Sequence, residues 1–143
     1  MSNERAKAKA EMLSEDTAMA QALRQLESVR EMVADLRAAE EDCDDDKCEQ
    51  ARTRICEDPL SVEIRDGWRS PGEDGEPEEY RILLCTGGPA VQIVGRLGVH
   101  GDPETAEIEY QDWGTPWTPL KPSQYASGDE ALLLDYARAL LPY

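Results

Sequence analysis

The chain has 143 residues and carries 31 acidic side chains against 15 lysines and arginines, a formal net charge of −16. Both halves contribute, since residues 1–59 hold 16 acids and 9 bases and residues 60–143 hold 15 acids and 6 bases. Each contact with a phosphate needs a cation, so this charge disfavours nucleic acid and anionic membranes as direct partners. It favours a basic protein surface as the partner, or it serves only to keep an acidic protein well solvated.

The length fits one domain, or a small domain with an appendage. No segment approaches the roughly 20 apolar residues that a membrane-spanning helix needs. The opening "MSNERAKAKAEM" has basic residues but lacks the apolar core of a signal peptide. We therefore expect a cytoplasmic protein whose cysteines are mostly reduced.

The first 41 residues predict one long helix. Residues 3–41 contain no glycine or proline and are rich in strong helix formers. Apolar residues recur there at heptad spacing, among them Met12, Met19, Leu26, Val29, Val33 and Leu36. Such a stripe needs a covering helix. Either a second, short helix that ends before Pro59 folds back to make a hairpin, or the residues from Met19 to Leu36 form a homodimeric coiled coil.

The connection after the long helix is acidic and contains three cysteines. Its carboxylates are Glu40, Glu41, Asp42, Asp44, Asp45 and Asp46. A calcium loop would need alternating aspartates and a glycine, which are absent. Acids at a helix C-terminus oppose the helix dipole, so we interpret the run as a candidate contact for a basic partner. The spacings of Cys43, Cys48 and Cys56 match no common zinc arrangement, and we predict neither metal nor cofactor.

From residue 60 the apolar period changes from helical to two. Four alternating segments separated by glycine and proline turns predict an antiparallel meander. They are "LSVEIRDGW", "EYRILLC", "AVQIVGRLGV" and "AEIEYQDW". We therefore predict an α+β fold with a helical hairpin or coiled coil over residues 1–58 and a ββββα domain over residues 59–143.

The last segment predicts a C-terminal helix that packs on the meander. Its apolar face is Leu132, Leu133, Tyr136, Ala137, Leu140 and Leu141. Ser127 and Glu130 have the spacing of a capping box, Asp129 adds favourable charge to the first turn, and Pro142 ends the helix.

The segment "EYQDWGTPWTPL" holds two of the three tryptophans of the chain. Its prolines cannot continue a strand, so Trp113 and Trp117 flank a stiff loop at a sheet edge. One interpretation is that they close the end of a core poor in aromatics. The other is that they anchor a protein partner inside an acidic rim formed by Glu107, Glu109 and Asp112.

No pattern points to catalysis. The single histidine, His100, lies in a predicted turn without an acid or nucleophile beside it. "CTGGP" lacks the lysine and the following helix of a phosphate loop and predicts a hairpin turn. We therefore predict a protein that is not an enzyme.

The strings "EDPLSVEIRDGW", "EEYRILLCTGGPAVQIVG" and "IEYQDWGTPWT" resemble a family of small acidic accessory proteins encoded by phages and prophages of proteobacteria. The resemblance covers most of residues 57–118 and, more loosely, the first 40 residues. It implies a phage accessory protein that acts in the host cytoplasm, and it implies no particular activity. By analogy with other small acidic phage proteins, we expect an anti-CRISPR or anti-restriction inhibitor of a basic nucleic-acid-binding complex. The alternative is a structural phage protein that oligomerises through its N-terminal coiled coil.

Overall fold

The computed structural model describes residues 2–141, with side chains described from Thr17 onward. The elements in chain order are α1 (Ser2–Glu41), α2 (Asp45–Glu57), β1 (Ser61–Asp66), β2 (Pro77–Cys85), β3 (Ala90–Arg96), β4 (Glu107–Gln111), β5 (Thr118–Pro119), a short 3-10 turn (Pro122–Gln124) and α3 (Asp129–Leu140). The predicted α+β class, the long first helix and the C-terminal helix are confirmed. Two predictions lie outside the described part of the chain. They are the place of the Met12 side chain in the apolar stripe and the end of the last helix at Pro142.

The strands form one antiparallel sheet in the order β1-β2-β3-β4-β5. The prediction of four strands was one short. The two residues of β5 pair with Glu109 and Tyr110 of β4, and Leu120 then donates its N–H to the carbonyl of Ile108 (2.9 Å). β5 has only two residues, one of them a proline, so it is too short for an alternating sequence signal.

One face of the sheet carries the core, and the alternation predicted it correctly. The buried residues on this face include Tyr80, Ile82, Leu84, Val91, Ile93 and Ile108. The opposite face is polar, and its charges pair across strands. Arg81 donates to Glu63 (2.9 Å), and Arg65 pairs with Glu79.

The apolar stripe of α1 is covered by the chain's own sheet and helices. Its buried members are Ala18, Ala22, Leu26, Val29, Met32, Val33, Leu36 and Ala39. They belong to the same core cluster as the sheet residues and Ile55 of α2, with Met19 packed at its edge. The hairpin alternative therefore describes this structure. The residues proposed for a coiled coil, Leu26, Val29, Val33 and Leu36, are not on a free surface.

The hairpin and the sheet share one core across the predicted boundary between residues 58 and 59. The join itself is fastened by Tyr136 of α3, which donates its hydroxyl hydrogen to Asp58 Oδ2 (2.7 Å). Burial raises the pKa of Tyr136, so this hydroxyl stays protonated and remains a donor. In the described part of the chain, no helix is both long and apolar enough to cross a bilayer.

A two-pronged ion pair joins α1 to the start of α3. Arg30 Nε and Nη2 donate to the two carboxylate oxygens of Asp129 at 3.0 and 2.6 Å. The Asp129 side chain is 5% exposed and that of Arg30 is 30% exposed. Asp129 also accepts the N–H of Ala126 (2.7 Å), which closes the turn before the helix. Charged pairs with this fork geometry are among the stronger polar interactions in proteins.

The predicted capping box of α3 does not form. The residue at the cap is Gly128, with a left-handed φ of 88°, and no side chain caps the helix there. Asp129 lies in the first turn of α3, as predicted. Its burial was not predicted, and it accompanies the pairing of its carboxylate with Arg30, 99 residues earlier.

We expect Asp129→Asn to lower the free energy of unfolding by about 2–4 kcal/mol at neutral pH, because it leaves a partly buried guanidinium without its anion. The hydrogen bond from Arg30 lowers the pKa of Asp129 in the folded protein. The stabilisation is therefore full above the ordinary carboxyl pKa of about 3.9 and is lost as the pH falls below it.

Urea unfolding of both proteins from pH 7 to pH 2.5 checks this prediction, and Asp135→Asn, at a more exposed pair with Arg37, is the control. The difference between wild type and Asp129→Asn should shrink in acid, and a difference that stays constant with pH would contradict the role given to the ion pair.

Candidate interaction surfaces

The predicted partner-binding residues lie in three separate places. Trp113 and Asp112 belong to the β4–β5 turn, with Trp117 at its end. Glu107 and Glu109 lie on the polar face of β4, and the aspartates from Asp42 to Asp46 lie at the end of the helical hairpin. We therefore consider the three surfaces one at a time.

Trp113 lies on the β4–β5 turn, which is held closed by hydrogen bonds within the turn. The N–H of Thr115 donates to the carbonyl of Asp112 (3.2 Å), and Gly114 supplies the positive φ of 74° that the turn requires. The Thr115 hydroxyl also accepts the N–H of Asp112 (3.0 Å), while Asp112 Oδ1 accepts the N–H of Trp113 (2.9 Å). The carboxylate of Asp112 therefore holds the turn, and it is half-buried there.

The two tryptophans of this turn differ in exposure. Trp113 is 83% exposed, whereas Trp117 is half-buried. A large apolar ring held on a stiff turn loses little side-chain freedom when it binds, which is typical of residues that anchor protein interfaces. The interpretation as an anchor therefore suits Trp113, and that of covering the core suits Trp117 better.

The acidic rim predicted around this turn is not continuous. Glu109 is half-buried and accepts a hydrogen bond from Gln92 Nε2 (2.8 Å). Glu107 is exposed, but it lies at the other end of β4, about 13 Å along the strand from Gln111. Only Asp112 adjoins Trp113, and its carboxylate already holds the turn.

The hairpin end, residues 40–50, is the most acidic surface, and we call it the acidic tip. It carries seven carboxylates and one lysine. The buried face of α1 ends at Ala39, and none of the residues of the acidic tip is buried. The tip therefore projects beyond the core into solvent.

The backbone of the acidic tip is tightly closed. The N–H of Asp44 donates to the carbonyl of Ala39 (3.2 Å), and that of Cys43 donates to Glu40 (3.1 Å), which is the Schellman pattern of a helix end. Cys43 has the left-handed φ of 54° that this motif usually assigns to glycine. Asp44 then caps α2 by accepting the N–H of Lys47 (3.1 Å).

The conflict with the helix dipole that the sequence indicated holds for only part of the acidic tip. Asp45 and Asp46 lie in the first turn of α2, where the dipole favours anions. Glu40 and Glu41, at the end of α1, remain unfavourably placed. Half of the acidic run therefore has a structural reason in the start of α2.

No ion pair among the described residues neutralises charge at the acidic tip. The arginines that form ion pairs among the described residues are Arg30, Arg37, Arg54, Arg65, Arg81 and Arg138. Their partners lie on the helices and the sheet, and none of those ion pairs includes a residue of the tip. Its negative field is therefore directed into solvent, where it can attract a cationic surface.

The remaining candidate chemistry is sparse in the described residues. A concave region of about 1240 Å³ runs over the open sheet face and the loop before α3, and its charged lining includes the internally paired Arg81 and Glu63. No group of three metal-ligating side chains converges there or elsewhere in that part of the chain. His100 is exposed in the β3–β4 loop, and burial raises the pKa of the Cys85 thiol.

Trp68 is not among the predicted binding residues, yet it is fully exposed just after β1. The signal that could have indicated it is the neighbouring Gly67, because glycine is a weak strand residue and β1 ends just before it, at Asp66. The alternating pattern of "LSVEIRDGW" instead counted the ring as part of a strand.

Comparisons with protein-family models, curated proteins and solved structures gave no significant match.

We expect Cys43→Gly to raise the free energy of unfolding by about 0.5–1 kcal/mol, because glycine adopts the left-handed conformation without steric cost. Cys48→Gly, inside α2, should lower it by about 1 kcal/mol. Urea denaturation of the two variants measures both changes. Destabilisation by Cys43→Gly would show that the thiol contributes more than its backbone conformation costs.

We expect Trp113→Ala to change the free energy of unfolding by no more than about 0.5 kcal/mol, because the ring is exposed. Trp117→Ala should cost more, since it removes a half-buried ring. Urea denaturation of the two single variants provides the comparison. Equal losses would mean that Trp113 packs on the core and is not held free for a partner.

Proposed function

We propose that this protein is a non-enzymatic binding protein that engages a basic protein surface through its acidic tip, with Trp113 as a second, apolar contact. The observation that carries the proposal is the state of the tip. It has seven carboxylates and one lysine on a closed projection, with no buried residue and no internal cation in the ion pairs described above.

A surface of this kind acts mainly on the rate of encounter. Clustered like charges raise the local concentration of an oppositely charged partner and increase association rates by roughly 10–1000-fold at low salt. The attraction weakens as salt shortens the Debye length from about 10 Å at 0.1 M to about 3 Å at 1 M. An apolar anchor such as Trp113 then slows dissociation, an effect that salt does not screen.

The partner class follows from the charge and from the sequence resemblance. Proteins with broad basic surfaces are chiefly those that bind nucleic acid. The similarity to acidic phage accessory proteins leads us to propose a nucleic-acid-binding complex of bacterial host defence, whose cationic groove the acidic tip would occupy. The alternative of a coiled-coil assembly protein has less support, because Leu26 and Val33 are buried in the chain's own core.

The test neutralises the acidic tip while it keeps Asp44, which caps α2. The tip variant carries Glu40→Gln, Glu41→Gln, Asp42→Asn, Asp45→Asn and Asp46→Asn. The matched control removes the same number of charges from exposed acids elsewhere, namely Glu31→Gln, Glu73→Gln, Asp74→Asn, Glu76→Gln and Glu104→Gln. The two proteins have equal net charge, so only the location of the loss differs.

We expect wild type and control to capture the same basic protein from bacterial lysate at low salt. The tip variant should bind it at least about tenfold more slowly, as measured by surface plasmon resonance on the purified partner. Binding of the wild type should decline between 0.1 M and 1 M salt. Equal binding by the tip variant and the control would contradict a specific role for the tip.

A further inference from the structure

Exposed apolar side chains concentrate on one edge of the sheet. The described large apolar residues that are clearly exposed are Leu23, Leu60, Val62, Ile64, Trp68, Val99 and Trp113. Four of these seven lie on β1 or directly beside it. Leu60 is 60% exposed, Val62 37% and Ile64 41%, and Trp68 is fully exposed. The acidic tip and Trp113 do not account for the exposure of these apolar side chains along β1.

β1 is also a free edge. The sheet order places β2 on one side of it and no strand on the other. At the opposite edge, β5 has only two residues, one of them proline, which is a usual protection against strand addition. β1 has six residues without proline, and the one irregularity in its pairing lies between Arg65 and Asp66, where β2 carries the additional residue Glu78. It is therefore a regular strand with unpaired main-chain groups.

The pairing pattern shows which residues present those groups. Leu97 donates its N–H to Glu78 (2.7 Å) in the register that pairs Glu79 with Arg96, so the even-numbered residues of β2 bond to β3. The odd-numbered residues of β2 then bond to β1, where Arg81 lies opposite Glu63. The N–H and C=O groups of Val62 and Ile64 consequently point away from the sheet.

We propose that β1 pairs with β1 of a second copy of this chain, antiparallel and centred on Ile64, to form one continuous ten-stranded sheet in a homodimer. In this register the two copies of Ile64 form a hydrogen-bonded pair, and Glu63 lies directly opposite Arg65 of the other copy on the polar face. The strand is therefore complementary to itself in charge, although the chain as a whole is strongly acidic.

The charges continue across the interface as an ordered row. Within each copy Arg81 already pairs with Glu63, and Arg65 with Glu79. In the dimer centred on Ile64, four charged residues follow one another across the interface, namely Arg81 and Glu63 of one copy and then Arg65 and Glu79 of the second. Each side chain in this row therefore has only neighbours of opposite charge. Opposite charges directly across an antiparallel pair stabilise it, and like charges destabilise it.

Other registers are less favourable. A two-fold axis at Glu63 or at Arg65 places that charged residue opposite itself. An axis at Val62 places Glu63 opposite Ser61 and Arg65 opposite Pro59 of the second copy, so neither ion pair forms across the interface. The axis at Ile64 also carries Trp68 towards Leu60 of the second copy, since these residues are equally far from the centre. One interface thus covers the exposed apolar residues of this edge.

The dimer is tested by its oligomeric state and by a charge-swap series. Sedimentation equilibrium over micromolar to millimolar protein should show a monomer–dimer equilibrium for the wild type. Glu63→Arg should weaken the dimer at least tenfold, because it places Arg opposite Arg65. The double variant Glu63→Arg, Arg65→Glu should recover at least part of the association, since the swap restores complementarity about Ile64.

A cysteine cross-link tests the register. In a background with Cys43→Ser, Cys48→Ser and Cys56→Ser, Ile64→Cys should form a disulfide-linked dimer on mild oxidation, because paired Cα atoms there are about 5.5 Å apart. Val62→Cys should not, since its two copies would be offset by four residues, or about 13 Å. Thermal melts of the reduced variants confirm that each is folded.

The outcomes separate this interface from the binding of a basic partner. The dimer brings two acidic chains together, so moderate salt should leave it intact or strengthen it, whereas salt weakens the attraction of the acidic tip to a cation. A protein that stays monomeric at millimolar concentration would overturn the proposal. So would equal cross-linking at residues 62 and 64, or a dimer that Glu63→Arg leaves unchanged.

Discussion

The rest of the structure depends on the way the chain covers the apolar face of α1. Between Ala18 and Ala39 this face is buried by the sheet, by α2 and by α3, so α1 is the helix on which the other elements pack. Its buried part is about 33 Å long at 1.5 Å per residue. Burial along this helix ends at Ala39, so the end of the hairpin projects beyond the core as the acidic tip.

Local sequence signals predicted the elements well, and contacts distant in sequence decided the remainder. The alternation in β2, β3 and β4 identified the buried face because a strand with one dry side must repeat every two residues. The heptad stripe of α1 showed that the helix needed a cover, but periodicity does not identify the covering surface. Two helices and a sheet bury Leu26 and Val33 as completely as a second copy would.

The predictions for the cap of α3 and for the number of strands were wrong for the same reason, because contacts between residues distant in sequence decide both features. Ser127 and Glu130 have the spacing of a capping box, yet Arg30 draws Asp129 into a buried pair, the helix begins at Asp129, and the residue at its cap is Gly128. β5 is held by its neighbour and has no pattern of its own. Of the candidate site, the acidic run was readable from composition, whereas the sequence left open whether Trp113 covers the core or is exposed. The roles of Asp44 and Asp112 as local caps were not readable, because a carboxylate that caps a turn has the same sequence signal as one that meets a partner.

The position of the acidic tip also follows from the cost of net charge. Self-repulsion destabilises a compact chain with 31 acids and 15 lysines and arginines. That cost is smallest where carboxylates lie far from the remaining charge and fully in water, because Coulomb energy falls with both distance and dielectric constant. The hairpin end satisfies both conditions, while the arginines are placed where they join elements, as Arg30 joins α1 to α3 and Arg54 joins α2 to α1. Repulsion among the clustered carboxylates of the acidic tip remains, but water weakens it, and a projecting surface is also the one whose field meets a partner first.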